Sequence, residues 1–282
     1  MDSLAPIAHK LTHHEMIKAY TSLPEFPEIR VNLLRLFLKY GVKFSLPAHV
    51  KESIALAVSL VQLGLDTHDG VDSIVSGRKR QMNVLAGDYC SSRFYEVLAQ
   101  AEQISSIQLL SHSICEVNRM KMDMYMRAQR LLLSAEDYFT SVVEIKTRLF
   151  NTFAIWFDEV YHAQSFRAFR LVTECELILR EMQQANEIQE RNCWTYWYLL
   201  QKIGRDEMEG LTAGTSDDGK LQALVLKYNV SGKLFSMWEE KVKELRQFMN
   251  QTIGAELFMS EMSRLVEPLI MLRQPIPLLE EM

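Results

Sequence analysis

The stretch Leu60-Val61-Gln62-Leu63-Gly64-Leu65-Asp66-Thr67-His68-Asp69-Gly70-Val71-Asp72 joins an apolar helix to three carboxylates and an imidazole. Asp66 and Asp69 are three positions apart, which puts them on one helix face. Oxygen ligands so placed could hold Mg²⁺, and Mg²⁺ in turn could hold a diphosphate. The same residues also read as a solvated helix end, although a C-terminal turn is the unfavourable end of the helix dipole for carboxylates. Two other metal chemistries have less support. An EF-hand beginning at Asp66 needs an oxygen ligand at its fifth position and glycine at its sixth, where Gly70 and Val71 stand. The pair His68-Asp69 could open an HD-type metal phosphohydrolase set, with His49 and Asp123 completing the ligands.

Downstream runs Arg80-Gln81-Met82-Asn83-Val84-Leu85-Ala86-Gly87-Asp88-Tyr89. Gly87 inside an apolar helical pattern points to close approach of another helix. Asp88 and Tyr89 then read as a helix-packing pair with a hydrogen bond.

The elements that must hold these residues are helices. All seven prolines lie near the ends, at Pro6, Pro24, Pro27, Pro47, Pro268, Pro275 and Pro277. Proline inside a helix costs about 3 kcal/mol, so the long proline-free middle permits long helices. Apolar residues follow three-to-four spacing: Ile107, Leu110, Ile114, Val117 and Met124; Val142, Ile145, Leu149, Phe153, Trp156 and Val160; Leu234, Met237, Val242, Leu245, Phe248 and Met249. These patterns predict helices over 10–20, 28–40, 48–69, 81–102, 104–127, 135–162, 165–203, 220–228, 231–252 and 255–272. Loops are expected over Gly70 to Lys79 and over Gly204 to Gly219. No repeat or linker divides the chain, so the expectation is one all-α domain over 1–282, of about ten helices.

Composition narrows the function. With 282 residues, 48% apolar and 24% charged, the chain can bury a full core without disulfide or metal. Its net charge of −5 and scattered basic residues, densest at Arg78-Lys79-Arg80, argue against nucleic acid as a partner. Cys90, Cys115, Cys175 and Cys193 form no CxxC pair, which excludes a zinc ribbon and argues against a disulfide framework. Residues 1–10 lack a long apolar run, so no secretory leader is expected. The longest weakly polar stretch, 53–65, is too short to span a bilayer. A soluble, cytoplasmic protein with no transmembrane segment follows as the expectation.

The order of features now resembles a known family. An apolar helix, Thr67-His68-Asp69-Gly70-Val71-Asp72, the basic loop Arg78-Lys79-Arg80, then Asn83-Val84-Leu85-Ala86-Gly87-Asp88-Tyr89, is the order found in trans-isoprenyl diphosphate synthases. The combination Leu-Asp-Thr-His-Asp with Arg-Gln-x-x-Val-Leu-Ala-Gly-Asp-Tyr is most similar to component I of heptaprenyl diphosphate synthases, the small non-catalytic subunit of a two-chain enzyme. The resemblance is strongest over residues 59–95, and 116–125 and 142–157 share it. It implies an isoprenyl-synthase helical bundle.

The departures from the catalytic family bear on activity. Its first motif, DDxxD, falls here on Asp69, Gly70, Val71, Asp72 and Ser73, leaving one carboxylate in register. Asp72 is displaced by one residue and Asp66 lies a turn early. The second DDxxD motif is missing, and the later pair Asp217-Asp218 sits in a Gly-rich loop. The resemblance therefore implies no catalytic residue here: Asp66, His68, Asp69 and Asp72 are a degenerate motif, with Asp69 the one position that could still touch Mg²⁺. Mg²⁺ and both acidic motifs are expected on a large catalytic partner in a heterodimer. That partner condenses farnesyl and isopentenyl diphosphates to a C35 prenyl diphosphate for the menaquinone side chain, and the small chain helps set product length. The resemblance makes Leu60, Val61, Gly64 and Leu65 candidates for the wall around the growing prenyl chain, with Gly64 leaving room for that chain or for close helix packing. It makes Arg80, Gln81, Leu85, Gly87, Asp88 and Tyr89 candidates for the subunit interface. The aromatic run Trp194-Tyr196-Trp197-Tyr198 reads as interface or core, with core expected for at least two of the four. The competing readings are the HD-type phosphohydrolase and a plain helical protein-binding module.

Overall fold

A computed structural model describes residues 2–21, 23–71, 77–184, 192–203 and 218–271. Every element among them is helical: α1 (Ala5–Thr12), α2 (Glu15–Tyr20), α3 (Glu28–Tyr40), α4 (Ala48–Asp69), α5 (Arg78–Gln100), α6 (Ile104–Gln129), α7 (Ala135–Arg148), a 3₁₀ turn (Thr152–Trp156), α8 (Glu159–Gln184), α9 (Trp194–Ile203), α10 (Asp218–Lys227), α11 (Val230–Gln251) and α12 (Glu256–Ile270). The all-α expectation holds. The chain groups into two compact units, Met1–Asn118 with Lys146–Phe169 and Thr252–Leu265, and Arg119–Ile145 with Arg170–Gln251 and Val266–Met282.

The first unit is built around α4. Pro47 starts this helix, its carbonyl accepting from the amides of Val50 and Lys51 at 3.1 and 3.2 Å. Every residue from Ile54 to Leu65 is buried, because α3 and α5 both pack on α4. That position explains a helix apolar on all sides. The apolar run expected over 53–65 therefore lies in a 22-residue helix that is long and apolar enough to cross a membrane, and 67% of its most apolar window is buried inside the protein. Beside it, Phe37 of α3 centres an aromatic cluster with Phe157, Tyr161, Phe169 and Phe258, ring centroids 5.5–6.4 Å away.

Three expected helices break. The helix over 10–20 becomes α1 and α2, because His14 turns extended and its Nδ1 accepts from the Met16 amide at 3.2 Å. The helix over 135–162 ends at Arg148. Leu149, Phe150, Phe153, Ala154 and Phe157 are all buried, more apolar positions than one helical stripe supplies. The backbone there pairs instead with the Gly41–Lys43 turn: the Lys43 amide donates to the Trp156 carbonyl and the Asp158 amide to the Gly41 carbonyl, both at 2.9 Å. Asp158 then caps α8 by accepting from the Tyr161 amide at 3.0 Å. The helix over 165–203 is α8 and α9, and residues 185–191 lie outside the described residues. The Trp194 amide donates to Glu181 Oε1 at 2.9 Å. One continuous helix would hold those residues about 20 Å apart.

The second unit has its own core, in which Trp194, Tyr196, Trp197 and Leu199 of α9 meet Leu133, Tyr138, Val230 and Leu234. Tyr198 packs against it, and Tyr138 donates its hydroxyl proton to the Asn192 carbonyl at 2.7 Å. The aromatic run is thus core at three positions and partly buried at the fourth.

Candidate functional site

The acidic segment is the last turn of α4. Asp66 is turned inward: Lys146 of α7 places its Nζ 3.0 Å from Asp66 Oδ1, and the two side chains are each 14% exposed. Gln62, one turn earlier, donates its Nε2 proton to the same oxygen at 2.9 Å. Thr67 is buried and donates to the Leu63 carbonyl at 2.7 Å. Asp69 is exposed, and Asp72 lies outside the described residues.

His68 is held from the side of α5. A Cβ built at Gly87 would fall 2.7–2.8 Å from three atoms of the imidazole, so the ring lies in a slot that glycine alone leaves open. Its Nε2 is 3.2 Å from Asp88 Oδ1. Gly87 is an interface candidate by the resemblance alone, and a point of close helix approach by its place in the apolar pattern. The structure turns it inward, against His68.

This arrangement does not suit a metal held as the motif's relatives would hold it. Divalent cations of this class want several convergent oxygens. Asp66 is occupied by an ammonium and an amide, and Asp69 is exposed. Among the described residues no three His, Cys, Asp or Glu side chains converge. The HD-type set fails on geometry: His49 and His68 stand on the same unbroken helix, nineteen residues or about 28 Å apart along its axis.

The four wall candidates Leu60, Val61, Gly64 and Leu65 are all buried. A Cβ at Gly64 would lie 2.7 Å from the Gly87 carbonyl oxygen and 2.8 Å from the Ser91 amide nitrogen, so the α4 and α5 backbones touch there. Of the two uses open to Gly64, the structure realises close packing. A cavity of about 320 Å³ does border α4, but at the opposite end, lined by Ile7, Leu11, His49, Leu56 and Val97 among others. Nothing in the spacing of those residues pointed to it.

The remaining interface candidates divide. Arg80, Gln81, Leu85 and Asp88 are exposed on α5, and Val84 and Tyr95 extend the same outward stripe. Leu85 is 57% exposed. Tyr89 faces α2 instead, edge-on to His14 with centroids 5.9 Å apart and hydrogen-bonded by Arg93. The four cysteines are free, and burial pushes the thiols of Cys90 and Cys175 up to about 11 and about 12.

The profile of the family described as heptaprenyl diphosphate synthase (HEPPP synthase) subunit 1 matches residues 14–218. A Geobacillus stearothermophilus protein named heptaprenyl diphosphate synthase component 1 is 33% identical over 99 residues, which cover 35% of this chain and 44% of that protein. The match thus spans less than half of the relative's length. Among solved structures, geranylgeranyl pyrophosphate synthase from Lactobacillus brevis, complexed with citrate, is similar with a TM-score of 0.70 at 13% identity, covering 95% of this chain and 96% of that one. Heptaprenyl diphosphate synthase from Staphylococcus aureus is similar with a TM-score of 0.61 at 13% identity, covering 93% and 98%. These likenesses establish the all-helical polyprenyl-synthase fold.

Proposed function

Because this chain belongs to the heptaprenyl diphosphate synthase subunit 1 family, we propose that it is the non-catalytic component of a two-chain heptaprenyl diphosphate synthase. The observation that carries the reading is the family match over residues 14–218, and the pairing of Asp66 with Lys146 agrees with it. Ionising an allylic diphosphate requires cations clamped on the leaving group as charge builds there. A helix end whose inner carboxylate is already paired to a lysine leaves the described part of the motif with one outward carboxylate, Asp69. That supports placing both acidic motifs, and the Mg²⁺, on a large partner subunit.

The partner, in this reading, condenses farnesyl diphosphate with isopentenyl diphosphates in the cytoplasm to give a C35 product for the menaquinone side chain. The growing chain is wholly apolar, and each buried CH₂ is worth about 0.8 kcal/mol. This subunit supplies apolar wall across the interface. With Gly64 packed against α5, we assign that contribution to the outward stripe of α5, where Val84, Leu85 and Tyr95 are exposed, rather than to the inner face of α4.

The test is direct. The pure chain, incubated with farnesyl and isopentenyl diphosphates and Mg²⁺, is expected to make no long product. Activity is expected when the large subunit is added. Long-chain product from this polypeptide alone would overturn the assignment.

A further inference from the structure

The end of α4 carries a charge problem that the fold resolves with its own residues. Asp66 lies in the final turn of a helix, where the carbonyl ends of the backbone already present negative potential. It is also mostly buried, and a buried carboxylate needs a counter-charge and hydrogen bonds. A divalent cation shared with Asp69 on the same helix face would be one way to answer that charge. Here Lys146 reaches across from the last turn of α7, 80 positions away in sequence, and sets its ammonium 3.0 Å from Oδ1. Gln62 supplies the second donor at 2.9 Å. The lysine is as enclosed as its partner, so water screens the pair weakly. Lys146 is also built into the unit beyond its ammonium, because its backbone carbonyl accepts from Arg30 Nη1 at 3.2 Å. On the other side of the same helix end, His68 sits in the Gly87 slot with Nε2 3.2 Å from Asp88. The turn is therefore clamped by α7 and by α5.

We propose that Lys146 is the resident cation of the degenerate acidic motif: its ammonium takes the place of a divalent metal on Asp66, making this helix end a metal-independent structural clamp. The inference concerns this chain's own motif and stands or falls apart from the two-chain reading. A subunit that binds metal at Asp66 could still serve a partner, and a clamped subunit could still lack one.

Two measurements on the full chain test it. The first is thermal unfolding of the unaltered protein in EDTA and in about 5 mM MgCl₂, because a ligand that binds the folded state raises its melting temperature. The second is Mn²⁺ titration followed by the paramagnetic resonance of the free ion. The expected result is the same melting temperature in both buffers and no Mn²⁺ uptake that is lost in Asp66→Asn. Uptake or a melting rise in the unaltered protein that disappears in Asp66→Asn overturns the proposal. Lys146→Met supplies a further check. Its melting temperature should fall, and the double variant Asp66→Asn/Lys146→Met should recover part of the loss, since the uncompensated carboxylate is gone. Equal additive losses from the two single changes would show that the pair is not a unit, and would also overturn it. Should Lys146→Met not fold, the comparison of the unaltered protein with Asp66→Asn still decides.

Discussion

Replacing Gly64 with alanine separates the two uses that a glycine can have in this helix. In an open helix interior the change stabilises by about 1 kcal/mol, because glycine is the poorer helix former. At this site the new Cβ would stand 2.7 Å from the Gly87 carbonyl oxygen, 2.7 Å from Ser91 Cβ and 2.8 Å from the Ser91 amide nitrogen. Two of the three are backbone atoms of α5 and cannot rotate away, so the helices must part by several tenths of an ångström. Overpacking of this kind costs about 1–3 kcal/mol. The net expectation for Gly64→Ala is a loss of roughly 1–2 kcal/mol, or a melting temperature lower by a few degrees. Gly70→Ala is the control on the same helix: its backbone φ is −76° and the nearest neighbour to its Cβ is 3.6 Å away. It should be neutral or mildly stabilising. Urea unfolding of the two variants beside the parent reads the difference. A Gly64→Ala protein as stable as the parent, with a two-chain synthase that makes a shorter product, would refute the packing argument and restore Gly64 to the wall of the prenyl tunnel.

Two further predictions follow from exposed and buried groups. Leu85→Arg, on the outward stripe of α5, should change stability by no more than about 0.5 kcal/mol while abolishing co-purification with the large subunit; an intact complex would move the interface elsewhere. Burial raises the Glu181 carboxyl above its ordinary range, opposed by the amides of Trp194 and Thr195 that donate to it and by Arg180. An acid raised on folding favours the folded state while protonated, and that contribution is lost as pH climbs through the raised value. Glu181→Gln should therefore gain melting temperature relative to the parent at pH 7 and less or none at pH 4, and the reverse order would contradict the assigned direction.

The parts of the fold that were legible from residues alone are those bounded by punctuation. The helices expected over 28–40 and 48–69 match α3 and α4 at both ends, because Pro27 and Pro47 start them and Gly41 and Gly70 follow them. Over 135–162 the apolar spacing and the structure part for a physical reason. The spacing is helical throughout, and what ends α7 is a pairing with residues 41–43, more than a hundred positions earlier. Likewise Gly87 was recognisable as a point of close approach, yet nothing local tells whether the approaching group is a neighbouring subunit or the imidazole of His68. The cavity at the far end of α4 draws on residues 7 to 101 and leaves no periodic trace.

The acidic segment shows how far a local electrostatic argument reaches. Carboxylates in the last turn of a helix are disfavoured by about 0.3–1 kcal/mol each, so Asp66 and Asp69 raise two alternatives before any fold is known, a solvated helix end or a nearby cation. Spacing cannot distinguish a metal ion from a lysine brought in by tertiary structure, because both satisfy the same charge. What distinguishes them is enclosure. A metal site needs a concavity open to ions and lined by several oxygens, whereas Asp66 is closed off by an ammonium and an amide that belong to the chain. An enclosed pair of this sort is costly to break from one side, about 3–5 kcal/mol, since the remaining charge is left unanswered. Substitution at Asp66 or Lys146 alone is therefore costly to the fold, and Asp69 stays exposed outside the pair. On this account the resemblance to an active synthase persists in the helix end because its residues still hold α4 to α5 and α7.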